Sequence, residues 1–190
     1  METKKVNIRF GVITLMILAA AFSRLIPHAW NFTAIGAAAL FGAAYFSNRI
    51  IAFVIPLLSL WLSDIVMNNT IYSSFNGNKL WLFPDTFPWY YLGFIMVTLV
   101  GFGLLKKVKI SSVIGASVSA SVIFFLVSNF GSWIGNAAYP QNASGLIACY
   151  TAGIPFFWST VAGDLFYCGL LFGAFELAKM KFPVLQTQKV

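Results

Sequence analysis

The chain has 190 residues, of which 59% are hydrophobic and only 9% are charged, whereas a soluble globular domain is about 45–50% apolar and about 25% charged. A soluble fold of this size cannot bury so much apolar surface, so the composition excludes a soluble domain and makes lipid the solvent for most of the protein. The net charge of +7 does not indicate nucleic-acid binding, because the basic residues flank apolar segments, where Lys and Arg anchor membrane helices.

Six apolar segments follow one another along the chain and predict membrane helices. The first ends at Pro27; its basic flank and Ala-rich end are similar to a signal peptide, but the equally apolar remainder favours an uncleaved helix. The second carries Ala34, Ala38 and Gly42 at four-residue intervals, which predicts a short, central helix that its neighbours approach closely. Pro56 predicts a kink in the third. We expect one all-α integral membrane domain with helices at about 10–26, 33–46, 50–67, 89–105, 111–130 and 156–180.

The distribution of basic residues orients these helices. With the N-terminus in the cytoplasm, ten of the twelve Lys and Arg residues fall on the cytoplasmic side, as the positive-inside rule requires. Only Arg24 and Lys79 fall outside, and six spans return the C-terminus to the cytoplasm. The prediction is a multi-pass protein of the bacterial cytoplasmic (inner) membrane with both termini cytoplasmic. The ten residues are Lys4, Lys5, Arg9, Arg49, Lys106, Lys107, Lys109, Lys179, Lys181 and Lys189.

The few polar residues of the apolar segments collect near the outer ends of the helices. Two of the three outer connections, at about 68–88 and 131–155, are long, and long structured loops usually carry function. Ionisable groups inside a bilayer are costly and are candidates for functional sites. We therefore predict an outward-facing substrate pocket, walled by helices 1, 3, 5 and 6 and roofed by the two long loops. Its candidate binding residues are Arg24, His28, Asn31, Asp64, Asn129, Trp133, Tyr139 and Asp164.

Other interpretations of these residues stay open at this point. Arg24 could pair with Asp64 or Asp164 only to hold helices together. Asp64 and Asp164 could form the carboxylate pair of an intramembrane enzyme, although the sequence has no catalytic motif, zinc pattern or nucleotide-binding loop. We expect no catalytic residue, metal or cofactor, and His28 is more typical of an interfacial histidine than of a metal ligand. A structural membrane protein without a ligand is the third interpretation.

Several blocks of the sequence resemble an uncharacterised bacterial family of membrane proteins described as transport proteins. The resemblance covers about residues 20–175 and departs from the family at Ala29-Trp30, where the family usually has a second proline after the histidine. The blocks are RLIPHAWNFTAIG (24–36), ALFGAAYF (39–46), LSD (62–64), NFGSW (129–133), YP (139–140), GLIACY (145–150), PFF (155–157) and GDL (163–165).

That family is in turn similar to the substrate-binding S components of energy-coupling-factor (ECF) transporters, which are six-helix proteins of about this size. The resemblance implies capture of a vitamin or related micronutrient at the outer face, followed by toppling in the membrane with a transmembrane coupling subunit and two ATPases. Cobalamin is one candidate ligand, although neither Cys149 nor Cys168 matches the cysteine with which some cobalamin-binding members reach cobalt. We expect a transport component rather than an enzyme, with the lipid bilayer and a small molecule as partners and no nucleic acid.

Overall fold

The computed structural model of the protein describes residues 2–74, 77, 79–83 and 87–186. Within these residues the chain forms six α-helices and two short 3-10 turns, at Ser23–Leu25 and Pro183–Leu185, with no β-strand. The all-α class predicted from composition is confirmed. The helices are α1 (Glu2–Phe22), α2 (Ile35–Tyr45), α3 (Arg49–Asn69), α4 (Phe87–Leu104), α5 (Ile110–Trp133) and α6 (Ala143–Lys181).

Four of the helices in the described part of the chain are long and apolar enough to cross a membrane. They are α1, through its stretch Ile8–Leu25, and α3, α5 and α6. The 11 residues of α2 extend over only about 16 Å at about 1.5 Å per residue, about half of a hydrocarbon core of about 30 Å. The expectation of six complete spans therefore goes beyond what helix length alone supports.

Helix α2 is the centre of the bundle. All of its residues are buried, and the five other helices pack around it. A helix that is apolar on every side must be buried, and the small residues of α2 let neighbouring backbones come close. The sequence prediction of a short central helix is confirmed.

Three helix boundaries differ from the prediction by more than three residues. One is the end of α1, which lies at Phe22 rather than near residue 26 because the chain continues there as the 3-10 turn Ser23–Leu25. Helix α1 begins at Glu2 rather than near residue 10, because the polar segment before the apolar run continues the helix. Helix α6 begins at Ala143 rather than near residue 156 and passes through Pro155. The side chain of Asn142 caps its first turn by accepting a hydrogen bond from the backbone N–H of Gly145 at 3.0 Å, so the helix starts at this cap and not at the proline. The four helices between them start and end within three residues of the predicted bounds.

Successive helices run in alternating directions, which gives the bundle two different ends. The first turns of α1 lie beside the end of α2, where Arg9 donates to the backbone carbonyl of Tyr45 at 3.3 Å, and the end of α6 lies there too, where Tyr45 donates to Glu176 at 2.5 Å. We call this the basic end, since seven of the described Lys and Arg side chains lie at it. The opposite end, which carries the connections 23–34 and 134–142 and the described residues that follow α3, is called the loop end. The seven are Arg9, Arg49, Lys106, Lys107, Lys109, Lys179 and Lys181; Lys189 and the side chains of Lys4 and Lys5 lie outside the described part of the chain.

Candidate functional site

Two adjacent chambers lie in the bundle toward the loop end, and together they are called the cavity. The first chamber has a volume of about 300 Å³ and is called the charged chamber, and the second has a volume of about 350 Å³ and is called the uncharged chamber. The two chambers are neighbours, since both are lined by Asn31, Tyr90, Phe124 and Thr160. Each volume is at the lower end of the range of small-molecule sites, about 300–1,000 Å³.

An ion pair between Arg24 and Asp64 lies in the wall of the charged chamber. Arg24 is on the 3-10 turn that follows α1, and Asp64 is on the last two turns of α3. The guanidinium Nη1 lies 2.6 Å from Oδ1 of Asp64 and 3.5 Å from the hydroxyl of Ser63, while Nε is buried without a hydrogen-bond partner. The side chains are 17% and 16% exposed, so the pair is partly shielded from solvent but reaches the chamber.

Asp164 of α6 is the most buried ionisable residue in the lining of the same chamber. It is 3% exposed, and its carboxylate accepts hydrogen bonds from the Ser121 hydroxyl at 2.7 Å and from the backbone N–H of Ala37. Ala37 is in the first turn of α2, whose N-cap residue Ala34 makes no side-chain capping bond. Asp164 therefore caps α2 from another helix, at the end where the helix dipole favours negative charge.

The close approach of α2 to Asp164 depends on Gly36. A Cβ atom at this position would lie 2.9 Å from Cγ of Asp164 and still nearer to one of its oxygens, which is closer than nonbonded carbon atoms approach. Glycine at this position thus lets the first turn of α2 reach the carboxylate, and it ties the geometry of the chamber floor to the packing of α2 on α6.

Aromatic side chains of α4 and α5 cover one side of the charged chamber. Tyr90, Tyr91 and Phe94 of α4 and Phe124 of α5 line it, and the rings of Phe94 and Phe124 stack at a centroid distance of 4.7 Å. The predicted pocket walls did not include α4. Its aromatic residues fall in an uninterrupted apolar helix, where lipid-facing and cavity-facing rings look the same in sequence.

The segment 79–83 folds back over the end of α3 and covers part of the charged chamber. The carboxamide of Asn69 accepts from the backbone N–H of Trp81 at 2.8 Å and donates to its carbonyl at 2.7 Å. The indole of Trp61 donates to the carbonyl of Leu82 at 3.2 Å and stacks on Phe83. Trp81 also lines the charged chamber.

Amide and hydroxyl groups, and no ionised side chain, supply the polar lining of the uncharged chamber among the described residues. Asn129 donates to the carbonyl of Phe125 at 2.8 Å, and Gly153 of α6 packs directly against its carboxamide. The buried, reduced Cys149 also lines this chamber. The other polar groups in its wall are Asn31, Ser128, Ser132, Asn136, Tyr139 and Thr160.

The structure brings six of the eight predicted site residues to this cavity. His28 and Trp133 are not in its lining: His28 is exposed, with Nδ1 2.6 Å from the carbonyl of Ile26, and the indole of Trp133 donates to the carbonyl of Pro140 at 2.9 Å. The six are Arg24, Asn31, Asp64 and Asp164 in the charged chamber and Asn31, Asn129 and Tyr139 in the uncharged one.

Neither a metal site nor a shared carboxylate pair is built from these residues. Within the described chain no three His, Cys, Asp or Glu side chains come together as metal ligands. Asp64 is engaged by Arg24 and Asp164 by Ser121, so each carboxylate has a donor of its own. The arrangement offers one cation, two carboxylates, an aromatic wall and neutral polar groups, which is the chemistry of binding and orienting a small polar molecule.

Comparison with known protein families assigns the chain to one of them. A family model covers residues 4–185. The chain belongs to DUF6580, a family of unknown function. No curated protein matches the chain, and no solved structure does. For this DUF6580 member, the cavity itself is therefore the main source of functional inference.

Proposed function

We propose that the protein is a membrane transport component that captures a small micronutrient or vitamin-like molecule in the cavity at its loop end. The observation that carries this proposal is the position of the Arg24–Asp64 pair and Asp164 in the walls of a cavity that is large enough for a ligand. Ionisable groups in the apolar part of a membrane protein are costly. Lining a cavity with them is more consistent with recognition of a polar molecule than with helix packing alone, for which apolar side chains serve as well.

The orientation of the protein in the membrane is part of the same proposal. The seven described cations of the basic end face the cytoplasm under the positive-inside rule, which places the loop end and the cavity mouth outside a bacterial cytoplasmic membrane. All six helices then cross the membrane as one bundle, with the short α2 completing its crossing through the extended segment before it. Labelling tests this orientation: a cysteine at Thr70 should react with an impermeant maleimide in intact cells, and one at Lys107 should react only after lysis. The reverse pattern would contradict the orientation.

The proposed mode of action is that of an ECF-type S component, which releases its ligand inwards with a transmembrane coupling subunit and ATPases. Support comes from the small size of the chain, its helical bundle and a cavity that opens at one end. Affinity purification of the tagged protein from its native membrane tests the partners. Co-purification of an ATPase together with a second membrane subunit is the expected result, and a protein that takes up ligand alone in liposomes would contradict this mode.

A substitution that fills the cavity tests ligand capture itself. Thr160 lines both chambers, so Thr160→Phe places a ring at their junction. Thr151→Phe is the matched control, since Thr151 lies on the same helix, is exposed and lines neither chamber. Small molecules extracted from the purified proteins are compared by liquid chromatography and mass spectrometry. A molecule retained by the wild type and by Thr151→Phe but absent from Thr160→Phe supports capture. Equal retention by all three proteins would contradict it.

A further inference from the structure

A third cavity, of about 490 Å³, lies between α5 and α6 on the side of the basic end. It shares no lining residue with the two chambers at the loop end. One wall is formed by residues of the stretch 108–117, at the start of α5, and the other by residues of the stretch 165–176 of α6. We call this cavity the α5–α6 groove, and most of its lining is apolar.

Two glycines keep the α6 wall of the groove open. Gly169 and Gly173 are exposed, and a Cβ atom added at either position would have no neighbour within 4 Å. Cys168 and Phe172, which precede them, are buried and form the floor. Both α5 and α6 are long and apolar enough to cross a membrane, so the groove opens toward the acyl chains of the surrounding lipid.

The length of the groove matches one leaflet of a bilayer. Its α6 wall, from Leu165 to Glu176, extends over about 16 Å at about 1.5 Å per residue. Half of a hydrocarbon core of about 30 Å is about 15 Å. One extended acyl chain from the leaflet at the basic end therefore fits along the groove.

Three lysines lie at the end of the groove where a lipid headgroup would be. Lys109 lines the groove itself, and Lys106 and Lys107 precede it in the connection between α4 and α5. All three side chains are exposed, and none of them forms an ion pair with a carboxylate of the described chain. The connection therefore offers positive charge to an anion.

The carboxylate in the described lining of the groove is already engaged. Glu176 accepts hydrogen bonds from Lys179 at 2.9 Å and from the hydroxyl of Tyr45 at 2.5 Å. It therefore leaves the lysines of the α4–α5 connection available to a ligand.

The first turn of α5 adds backbone donors at the same end of the groove. Its N-cap residue, Lys109, makes no side-chain capping bond, and no acidic residue lies in the first turn. The first N–H groups of a helix have no partner within the helix, and together with the helix dipole they favour a phosphate. Lysine side chains and backbone donors thus converge where the groove meets the membrane surface.

We propose that the α5–α6 groove binds one phospholipid with an anionic headgroup. Its phosphate lies at Lys109 and the first turn of α5, and one of its acyl chains lies between the two helices. The acyl chain alone gains little, because the surrounding lipid is as apolar as the groove, so the headgroup charge selects the occupant. Basic pockets between membrane helices on the cytoplasmic side bind anionic headgroups in this way. An apolar helix of a second copy would leave the lysines without a counter-charge.

Titration of the delipidated protein with two lipids tests the selectivity. Phosphatidylglycerol is anionic, and phosphatidylethanolamine with the same acyl chains is zwitterionic. Native mass spectrometry of the full chain in detergent gives the Kd of the one-to-one complex with each lipid. The Kd for phosphatidylglycerol should be about tenfold below that for phosphatidylethanolamine, since each lysine near the surface contributes about fivefold.

A pair of lysine variants tests the headgroup contact. Lys109→Gln should weaken binding of phosphatidylglycerol about fivefold and leave binding of phosphatidylethanolamine nearly unchanged. Lys181→Gln is the control, because Lys181 is exposed at the same end of the bundle but does not line the groove. Its effect should be about twofold or less, since solvent ions screen distant charges.

A pair of glycine variants tests the acyl-chain seat. Gly173→Phe fills the groove and should weaken binding of both lipids. Gly103→Phe is the control, because Gly103 of α4 is also exposed with no atom within 4 Å of an added Cβ, and it lies outside the groove. Phosphatidylglycerol with a diazirine on one acyl chain locates the site in the wild type, where the crosslink should fall within 108–117 or 165–176.

The outcomes separate the lipid from other occupants. Equal affinity of the wild type for the two lipids overturns the proposal, and so does a crosslink outside both walls or full binding to Gly173→Phe. A dimer that Gly173→Phe disrupts and Gly103→Phe preserves would assign the groove to a second copy and would also overturn it. None of these results bears on ligand capture at the loop end, which depends on the other two chambers.

Discussion

Breaking the Arg24–Asp64 pair from one side should destabilise the protein, and removing both charges should not. Arg24→Met leaves Asp64 without its cation in a wall where both side chains are about one-sixth exposed, 17% and 16%. Removing one partner of a fully buried pair costs about 3–5 kcal/mol, and an exposed pair contributes about 0–1 kcal/mol. The partial burial here places the expected loss at about 2–3 kcal/mol. The double variant Arg24→Met/Asp64→Leu should lie within about 1 kcal/mol of the wild type, since apolar packing replaces the pair.

Thermal unfolding in detergent, followed by intrinsic fluorescence, measures these differences. At about 2–4 °C per kcal/mol for a chain of this size, the single variant should unfold about 4–12 °C below the wild type. Lys179→Met is the control, because the Lys179–Glu176 pair at the basic end is more exposed, 28% and 41%, and should cost about 1 kcal/mol or less. The double variant should be stable yet retain no ligand. A stable double variant that still retains the ligand would refute the role of the pair in binding, and one as unstable as the single variant would refute the energetic reasoning.

Three further substitutions test the packing that supports the site. Gly36→Ala should lower stability by about 1–3 kcal/mol, because its methyl group would lie 2.9 Å from the carboxyl carbon of Asp164. Gly169→Ala is the control and should be neutral or stabilising, because no atom lies within 4 Å of its added methyl group. Equal thermal stability of the two variants would contradict the close approach of α2. Asn69→Ala removes both hydrogen bonds to Trp81, so backbone amides of 79–83 should exchange faster with deuterium, and unchanged exchange would contradict the role of Asn69. Tyr45→Phe loses the 2.5 Å hydrogen bond to Glu176 and should lower stability by about 1.5–3 kcal/mol in the same unfolding assay. An unchanged unfolding temperature would contradict this hydrogen bond.

The sequence predicted the helices well where apolar runs are bounded by clear signals. The segment of α2 could be recognised as central because its small residues recur at four-residue intervals and no polar face interrupts them. The predicted start of α6, at about residue 156, was wrong because Pro155 was taken to end the segment before the helix. Asn142 supplies the cap thirteen residues before Pro155, and a long helix can accommodate an interior proline as a kink instead of ending there.

The candidate site was predictable in its ionisable residues and in three of its neutral polar ones, Asn31, Asn129 and Tyr139. Arg24, Asp64 and Asp164 stand out because charge is rare in an apolar chain, and alternating helix directions place all three near one end. Their partners depend on contacts between distant segments, such as the Ala37 N–H and the Ser121 hydroxyl at Asp164, which no local pattern encodes. The aromatic wall of α4 was missed for the same reason, since a ring in an apolar helix carries no mark of the side it faces.

Native mass spectrometry of the purified protein tests the central claim, ligand capture in the loop-end cavity, most directly. When detergent is stripped at increasing collision energy, the wild-type spectrum should retain one additional small mass in a one-to-one complex. Thr160→Phe, which fills the junction of the two chambers, should lose this mass, and Thr151→Phe should keep it. A wild-type spectrum with no bound small molecule, or a bound mass that Thr160→Phe retains in full, would contradict the account.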